Sequence, residues 1–290
     1  MRSDSELERL YSAPFGTYPL SDVARKRMER AAAAKGRWYF RYMRSLARRP
    51  LRASHEIVDM DYRDCRFRLL PSENYDDMQL VAVREHPELD EIEVFEHRVA
   101  GASCFVDIGA NMGIYTVFAS RHLAPGGRII AFEPHPRTLV KLRRNAELNG
   151  IEGLEIVAKA VGAQEGVAQL HVTSSRNAGQ NTLRALEKAE GDAVDVPVAP
   201  LLAELQARGV AQIDVLKIDV EGYESEALFP FFDTAPRSLW PSYIMLEVAH
   251  SDQWSTDLLA QLSGIGYRQV YANSANAHFA LDDTPDTSED

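Results

Sequence analysis

The chain contains 290 residues, of which 45% are hydrophobic and 26% are charged, so it can build a packed core and is not expected to be disordered. At roughly 150 residues per domain, this length fits two domains, or one large α/β domain with an appendage. Its net charge of −11 argues against a general nucleic-acid binder, because such proteins are normally basic.

This net charge is unevenly distributed along the chain. Residues 1–68 carry 16 basic and 9 acidic side chains, whereas residues 69–290 carry 16 basic and 34 acidic ones. The first part therefore has a net charge of +7 and the second a net charge of −18. We predict a basic N-terminal arm followed by an acidic globular body, and we expect the arm to have its own partner.

Neither a membrane span nor a secretory signal is predicted. No stretch approaches the roughly 18 to 20 apolar residues that a membrane helix needs, and residues 1–10 mix both charges without an apolar segment. Cys65 and Cys104 are far apart and lack the spacing of a metal site, and Cys104 falls in an apolar run typical of a buried thiol. We expect a cytoplasmic protein.

The arm is predicted to be mainly helical. Residues 1–20 are polar and contain Tyr, Pro and Gly, which indicates an irregular leader, and a helix is predicted over residues 22–49 with Ser21 as its N-cap. Residues 25–52 contain 11 basic side chains and one acidic side chain, interleaved with aromatic ones. Such a helix either packs its aromatic side chains on the body or lies on an anionic surface, so residues 22–52 are a candidate for peripheral contact with an anionic membrane.

Strand and helix patterns alternate from residue 103 onward. This alternation predicts a mostly parallel, doubly wound α/β sheet, and such sheets bind ligands beyond the carboxyl ends of their strands. The predicted strands are 103–108, 128–133, 154–161, 213–219, 243–249, 267–271 and 277–281, with extended segments over 166–173 and 194–198 and one or two earlier strands over 56–70. The predicted helices are 88–99, 113–123, 136–148, 201–207 and 258–262.

The segment 174–192 is polar and interrupts this alternation. It stands where a substrate-facing insertion is expected, and the amide side chains of Asn177, Gln180 and Asn181 could bind sugar hydroxyls. An ordinary mobile loop explains its composition equally well.

The strongest motif is V-D-I-G-A-N-M-G, residues 106–113, in which a strand leads through a short loop into a helix. Gly109 and Gly113 tolerate unusual backbone angles and let the backbone approach a ligand. The helix N-terminus offers free N–H groups to a carboxylate or a phosphate. Glu133 ends the next strand, where its carboxylate can accept both hydroxyls of a ribose.

Two cofactors fit this outline. A dinucleotide site would have the pattern G-x-G-x-x-G, but Asn111 takes the second glycine position and the last glycine comes one residue early, which disfavours NAD. S-adenosylmethionine fits better, because Asp107 suits its amino group, the helix end suits its carboxylate and Glu133 suits its ribose.

Further blocks raise the specificity of this motif. Together with V-D-I-G-A-N-M-G-I-Y-T, they occur in the order seen in the FkbM-type methyltransferase family, and the resemblance covers about residues 103–281. The blocks are F-E-P-H-P at 132–136, A-V-G at 160–162, L-K-I-D-V-E-G-Y-E at 216–224 and L-E-V-A-H at 246–250. The resemblance implies a Rossmann-like class I methyltransferase fold: a seven-stranded, mostly parallel sheet with helices on both faces and an antiparallel last strand. It also implies S-adenosylmethionine-dependent O-methylation of a hydroxyl of a glycan or secondary metabolite.

The same resemblance implies roles for individual residues, all of which lie in the matching blocks. It assigns the methionine moiety to Asp107, Gly109, Asn111 and Gly113, the ribose to Glu133, the surroundings of the adenine to Ala160 and Val161, and the methyl group to Asp219, with Ala110 and Pro134 completing the cofactor set.

Four side chains at strand ends are candidates for catalysis. Aligning donor and acceptor contributes up to roughly 7–11 kcal/mol, and a general base adds a rate factor of about 100 to 10,000. His250 is the first choice for the base because it titrates near neutrality. The other candidates are Asp219, Glu221 and Glu247; Glu221 could instead cap the following helix, and Glu247 needs a partner inside its apolar strand.

These four groups could also gather a divalent cation, and oxygen ligands would suit Mg²⁺. Nothing in their spacing demands a metal, so none is assigned.

We predict a basic helical arm over residues 1–68, a methyltransferase domain over 69–281 and an acidic tail over 282–290. The alternatives are an NAD-dependent oxidoreductase and a non-catalytic scaffold that binds through the arm. The expected acceptor is a small molecule or a glycan, and nucleic acid is not expected.

Overall fold

The computed structural model describes residues 4–32, 57–83, 89–172, 181–183 and 193–282. Its N-terminal part begins with helices α1 (Asp4–Ser12) and α2 (Asp22–Ala32). The prediction of an irregular leader over residues 1–20 is wrong for α1, because Leu7 and Tyr11, four residues apart, share one helix face and are fully buried. The predicted helix is present up to Ala32, and its remainder lies outside the described residues.

A β-hairpin follows, in which β1 (Val58–Tyr62) pairs antiparallel with β2 (Cys65–Leu69). Its two-residue turn, Arg63 and Asp64, has positive φ at both positions, as the right-handed twist of hairpin strands favours. The hairpin packs on the body, since the ring of Phe67 lies edge-on to that of Phe118 at 5.9 Å between centroids. The predicted boundary at residue 68 falls inside β2, and the division of the chain into arm, domain and tail stays a prediction.

The body is built around a seven-stranded sheet with the order β12-β13-β11-β10-β3-β4-β5. All its neighbouring strands are parallel except those that pair with β13, which runs antiparallel to both β11 and β12. This is the strand order of the class I methyltransferase fold, as the resemblance implies. The strands are β3 (Cys104–Ile108), β4 (Arg128–Phe132), β5 (Leu154–Val157), β10 (Val215–Ile218), β11 (Tyr243–Glu247), β12 (Tyr267–Ala272) and β13 (Asn276–Leu281).

Helices cover both faces of this sheet because its central strands are apolar on both sides. In β3, Phe105 joins the core on one face, whereas Val106 and Ile108 join the core on the other. The helices of the first face are α3 (Tyr75–Val83), α4 (Leu89–Val99) and α5 (Ile114–Ala119), and those of the second are α7 (Leu201–Ala207), α8 (Glu224–Thr234) and α9 (Leu258–Gly264). Helix α6 (Pro136–Asn149) ends at its C-cap Gly150, whose positive φ of 60° is a left-handed conformation that suits glycine.

A second, four-stranded sheet with the order β6-β9-β7-β8 stands beside the first. The prediction of one strand over 154–161 is wrong, because the chain leaves the large sheet after Val157 and β6 pairs with β9 instead. The strands of this sheet are β6 (Ala160–Val161), β7 (Gly166–Val172), β8 (Asn181–Thr182) and β9 (Ala193–Ala199). No helix in the described parts of the chain has both the length and the apolar character that a bilayer crossing requires.

Candidate active site

A cleft opens beyond the carboxyl ends of β3, β4 and β10, where a doubly wound sheet is expected to bind its ligand. It encloses roughly 560 Å³ of empty space, part of which is open solvent. The second sheet supplies one wall through β6 and β7. The lining residues are Ile108, Gly109, Asn111, Phe132, Glu133, Pro134, Lys159, Ala160, Val161, Leu170, Leu183, Asp219, Val220, Glu221 and Tyr223.

Most of the predicted cofactor residues therefore line one cleft, and three do not. Asp107, Ala110 and Gly113 lie behind its wall. In the polar segment 174–192, Asn177 and Gln180 lie outside the described residues, whereas Leu183 lines the cleft.

Gly109 holds two loops of the cleft in direct contact. Its φ is +75°, and a Cβ built on it would lie 1.9 Å from the carbonyl oxygen of Asp219. A side chain is therefore excluded both by the backbone conformation and by the loop that follows β10. This contact between the β3 and β10 loops, rather than a ligand, already requires glycine at this position.

Glu133 joins the same loop to the end of β4. Its Oε2 accepts a hydrogen bond from the backbone N–H of Asn111 at 3.0 Å, and its Oε1 accepts one from the N–H of His135 at 2.8 Å. Burial raises the pKa of Glu133 to about 7, although both N–H donors act in the opposite direction. The carboxylate is thus fixed at the cleft with lone pairs left over, and near neutrality it is only partly ionised.

Asp107 is fully buried beneath the cleft. Its Oδ2 accepts a hydrogen bond from Thr116 Oγ1 at 2.7 Å, whereas Oδ1 has no hydrogen-bond partner among the described residues. Burial is the largest cause that raises the pKa of Asp107. A buried carboxylate with an unused acceptor is costly unless a donor reaches it.

Lys217, which the sequence analysis did not single out, is the cation beside this carboxylate. Its Nζ lies 3.9 Å from Asp107 Oδ1 and 3.4 Å from Asp219 Oδ2, and 5.2 Å from the ring centroid of Tyr115. Lys217 therefore connects the buried Asp107 with the exposed side of the cleft. A lysine in the middle of a buried strand is rare without an acidic partner, so the position of Lys217 in the sequence could have indicated this ion pair.

The predicted catalytic residues form a cluster at one end of the cleft. His250 Nε2 lies 3.2 Å from Glu221 Oε2 and 3.9 Å from Glu247 Oε1. Asp219 and Glu221 line the cleft, whereas His250 and Glu247 stand behind Glu221. Burial, and then repulsion from Asp219 and Glu221, raise the pKa of Glu247 well above its ordinary value.

Glu224, at the start of α8, organises the loop that carries Glu221. Its Oε1 accepts hydrogen bonds from the backbone N–H groups of Val220 at 2.9 Å and Gly222 at 3.2 Å, and its Oε2 accepts one from the Trp254 indole at 2.7 Å. Glu221 itself has a positive φ of 55°. The sequence suggested that Glu221 could cap the following helix. In the structure Glu224 accepts the backbone N–H groups just before α8.

His135 is buried and does not line the cleft. Burial lowers its pKa to about 4, so the ring is neutral, and its Nδ1 lies 3.4 Å from Thr138 Oγ1 in the first turn of α6. The structure places it behind Pro134, which does line the cleft.

Comparison with known proteins assigns the sequence that forms this cleft to a family. The Methyltransferase FkbM domain model matches residues 107–268. Methyltransferase 1 of Beauveria bassiana is 30% identical over 145 residues, which are 43% of this chain and 57% of that protein. The 31-O-demethyl-FK506 methyltransferase FkbM of Streptomyces tacrolimicus is 29% identical over 194 residues, 57% of this chain and 72% of that protein. A solved O-methyltransferase from Bacillus cereus, in complex with SAH, is 15% identical over 66% of this chain and 78% of that chain, with a TM-score of 0.40.

The family match extends from Asp107 in β3 into β12 and so contains the whole cleft. It also leaves the NAD-dependent oxidoreductase and the non-catalytic scaffold without support. The chain spans little more than half, 57%, of the length of Methyltransferase 1. Because the region matched by the family model is more than half of the sequence, the chain belongs to the FkbM methyltransferase family.

Proposed function

We propose that this protein transfers a methyl group to a hydroxyl oxygen of a small molecule or a glycan. The observation that carries the proposal is the position of Glu221, which lines the cleft while His250 supports it from behind. A hydroxyl is a poor nucleophile until it loses its proton, so a carboxylate fixed at the acceptor end of the cleft meets the main chemical need of O-methylation. The printed name of the Streptomyces relative, a methyltransferase of 31-O-demethyl-FK506, describes such a transfer to oxygen.

The residues present fit the cofactor. S-adenosylmethionine supplies an electrophilic methyl group on a sulfonium. Glu133 offers carboxylate lone pairs for the ribose, and Ala160 with Val161 offers an apolar wall for the adenine. The unused Oδ1 of Asp107 lies behind the loop of Gly109, on the side assigned to the methionine moiety.

The chain contributes alignment and proton transfer. Asp219 lines the cleft and is close enough to Glu247 to raise its pKa, and we assign it to the reacting groups. Glu221 accepts the proton of the acceptor hydroxyl, and His250 Nε2 orients that carboxylate from 3.2 Å. His250, the first choice for the base in the sequence analysis, is thereby proposed as a positioning residue, since Glu221 separates it from the cleft.

Gln253 decides which nitrogen of His250 carries the proton. Gln253 Nε2 lies 3.2 Å from His250 Nδ1, so a donating amide leaves the proton of the neutral ring on Nε2, facing Glu221. Glu221 then receives a hydrogen bond and remains the proton acceptor.

The test incubates the protein with methyl-labelled S-adenosylmethionine and an extract of the source cell, and identifies the fraction of the extract that gains label. We expect the label in an alkali-stable ether of a small molecule or a polysaccharide. Glu221→Gln should lower methyl transfer about 100-fold or more while binding S-adenosylhomocysteine normally. The exposed Asp252→Asn is the matched control, because it removes a nearby charge outside the cluster. Label on nitrogen or carbon alone would refute the proposal.

We place this activity in the cytoplasm and propose contact of residues 22–52 with anionic membranes. Within the described part of that range, α2 exposes Arg25 and Lys26, which suits an anionic surface. Co-sedimentation with vesicles that contain phosphatidylserine, compared with neutral vesicles, tests the contact. Equal binding to both kinds of vesicle would contradict it.

A further inference from the structure

The cluster of Glu221, Glu247 and His250 has the composition and spacing of a cation site. The three side chains each bring one ligand atom, and these atoms all lie within 4.8 Å of one another. Two ligands at roughly 2.1 Å from one metal, in neighbouring positions, are about 3 Å apart. The separation of 3.2 Å between His250 Nε2 and Glu221 Oε2 meets this condition, and Glu247 Oε1, at 3.9 Å, needs only a small shift.

A second, independent observation concerns the other oxygen of Glu247. Its side chain is only 10% exposed, and Oε2 is buried without a hydrogen-bond partner in the described structure. A buried carboxylate oxygen without a donor is unfavourable in a folded protein. A cation held by Glu247 would satisfy this carboxylate.

The charges around Glu247 also favour a cation. Three further carboxylates, of Asp219, Glu221 and Glu224, lie close to it on the loop after β10 and at the start of α8. Glu224 is held in place by two backbone N–H groups and the Trp254 indole. A divalent ion at the cluster would offset part of this concentrated negative charge.

The turn around Glu221 holds its carboxylate in place. Glu221 and Gly222 both have positive φ, of 55° and 91°, and Glu224 fixes the N–H groups on either side of Glu221. On the opposite side of the imidazole, Gln253 lies 3.2 Å from His250 Nδ1. When the ion binds, the Gln253 amide would turn from the donating orientation of the ion-free protein, so that Oε1 accepts from Nδ1–H and Nε2 is left free for the metal. An oxygen acceptor on the second ring nitrogen is the usual support of a metal-binding histidine.

We propose that Glu221, Glu247 and His250 bind one divalent cation, Mn²⁺ in preference to Mg²⁺, at the acceptor end of the cleft. The preference follows from the imidazole, because Mg²⁺ favours an all-oxygen shell. The site itself rests on the geometry above. Its role rests on the proposed function: the ion would bind the acceptor hydroxyl and lower its pKa, and Glu221, with one oxygen on the ion, would accept the hydroxyl proton on its other oxygen.

The test measures Mn²⁺ binding to the full chain, after dialysis against a chelator, by electron paramagnetic resonance of free Mn²⁺. We expect one ion per chain, and at least about tenfold weaker binding for His250→Ala and Glu247→Gln. Asp252→Asn, which removes an exposed acidic side chain two residues from His250, should bind Mn²⁺ as the unaltered protein does. Because Glu247 is buried and its variant could misfold, His250→Ala, at a side chain 35% exposed, keeps the test valid.

Two results would overturn the site: no binding at millimolar Mn²⁺, or binding that both cluster variants leave unchanged. Methyl transfer is measured separately, with and without the chelator. Loss of activity with the chelator and recovery with Mn²⁺ support the role, whereas full activity in the chelator refutes the role and leaves the proposed O-methylation standing. Mn²⁺ binding without any methyl transfer to oxygen would contradict the proposed function alone.

Discussion

The backbone N–H of Asn111 donates a hydrogen bond of 3.0 Å to Glu133 Oε2, and this bond ties the loop after β3 to the end of β4. The carboxylate that is assigned to the ribose is thus also part of the scaffold of the cleft. Its pKa of about 7, raised by burial, makes its charge sensitive to pH in the physiological range.

The first prediction is that S-adenosylhomocysteine binds more weakly as the pH falls below 7. Ribose hydroxyls donate to the ionised carboxylate and so lower its pKa in the complex. The free protein must therefore lose a proton from Glu133 to bind, and below its pKa of about 7 the affinity should fall by up to about tenfold per pH unit. Calorimetry between pH 5.5 and pH 8.5, in buffers of different ionisation enthalpy, measures both the affinity and the released proton.

Glu133→Gln is the matching control for this pH dependence. It should bind more weakly at pH 8 and lose most of the dependence, because its amide does not titrate. His135, the nearest histidine, does not interfere, since its pKa of about 4 keeps it neutral throughout. An affinity that does not change with pH in the unaltered protein would contradict the role of Glu133.

The second prediction compares two glycines with nearly equal backbone angles. Gly109 has φ +75° and Gly126 has φ +78°, but a Cβ at Gly126 meets nothing within 4 Å, whereas one at Gly109 meets the Asp219 carbonyl oxygen. Gly126→Ala should therefore cost only the left-handed conformation, about 1–2 kcal/mol. Gly109→Ala adds a clash between two backbones, which should cost a further ~1–3 kcal/mol and abolish cofactor binding.

Urea unfolding of the two variants isolates the free-energy cost of the clash. Both variants share the cost of the left-handed backbone, so it cancels when their free energies of unfolding are subtracted. Binding of S-adenosylhomocysteine to Gly126→Ala should be unchanged, as this glycine lies outside the cleft. Equal unfolding free energies for the two variants would show that the loops can move apart without cost.

The third prediction concerns Arg68, whose side chain is fully buried. Its guanidinium forms hydrogen bonds to both oxygens of Asp59, at 2.7 and 2.9 Å, and to four backbone carbonyls of the N-terminal segment. Arg68→Ala leaves the Asp59 carboxylate and these carbonyls without their main donor, which should cost about 3–5 kcal/mol. Arg66→Ala is the control. Its side chain is 58% exposed, its ion pair with Asp61 spans 3.8 Å, and it contacts the N-terminal segment through the ring of Phe15, at 5.3 Å from the centroid, so its loss should cost no more than about 1 kcal/mol.

Limited proteolysis provides a second measurement for the same residue. We expect Arg68→Ala to be cut between residues 4 and 20 far faster than Arg66→Ala. The reason is that the carbonyls bound by Arg68, of Leu10, Tyr11, Ala13 and Pro14, hold this segment on the hairpin. Equal cutting of both variants would mean that the apolar contacts of α1 suffice to hold it.

The sequence was sufficient to predict the strands of the large sheet, because central parallel strands are continuous apolar runs such as that of β3. It implied a helix after Glu221 but did not give the bounds of α8, whose sequence E-S-E-A-L-F-P-F-F-D-T contains Pro230 and lacks a clear polar face. This helix is packed against the sheet, so tertiary burial rather than periodicity decides its structure. The break between β5 and β6 was missed for a related reason, since both segments are apolar and the pattern does not show which sheet they join.

The sequence was sufficient to name the side chains that the structure brings together at the cleft, but not the hydrogen bonds that connect them. Asp219, Glu221, Glu247 and His250 could be named because each follows or ends a strand. The sequence does not show that Glu221 separates His250 from the cleft, because this depends on the positive φ of Glu221 and on the hydrogen bonds of Glu224. Such side-chain to backbone hydrogen bonds form only in the folded loop, so the spacing of residues in the sequence does not predict them.

The last prediction therefore concerns Glu224 as a positioning residue. Its carboxylate accepts three N–H groups, from Val220, Gly222 and Trp254. Glu224→Gln replaces one accepting oxygen with a donor, so at least one of these hydrogen bonds is lost whichever way the amide turns. The loop of Glu221 should then shift, and a misplacement of about 1 Å lowers kcat by roughly 100-fold. The KM for S-adenosylmethionine should change little, because Glu224 is fully buried and does not line the cleft.

Glu226→Gln, which changes the next acidic side chain of the same helix, should keep its kcat within about twofold, as surface substitutions usually do. A loss in Glu224→Gln that appears only in the melting temperature, with kcat intact, would assign this residue to stability rather than to the position of Glu221.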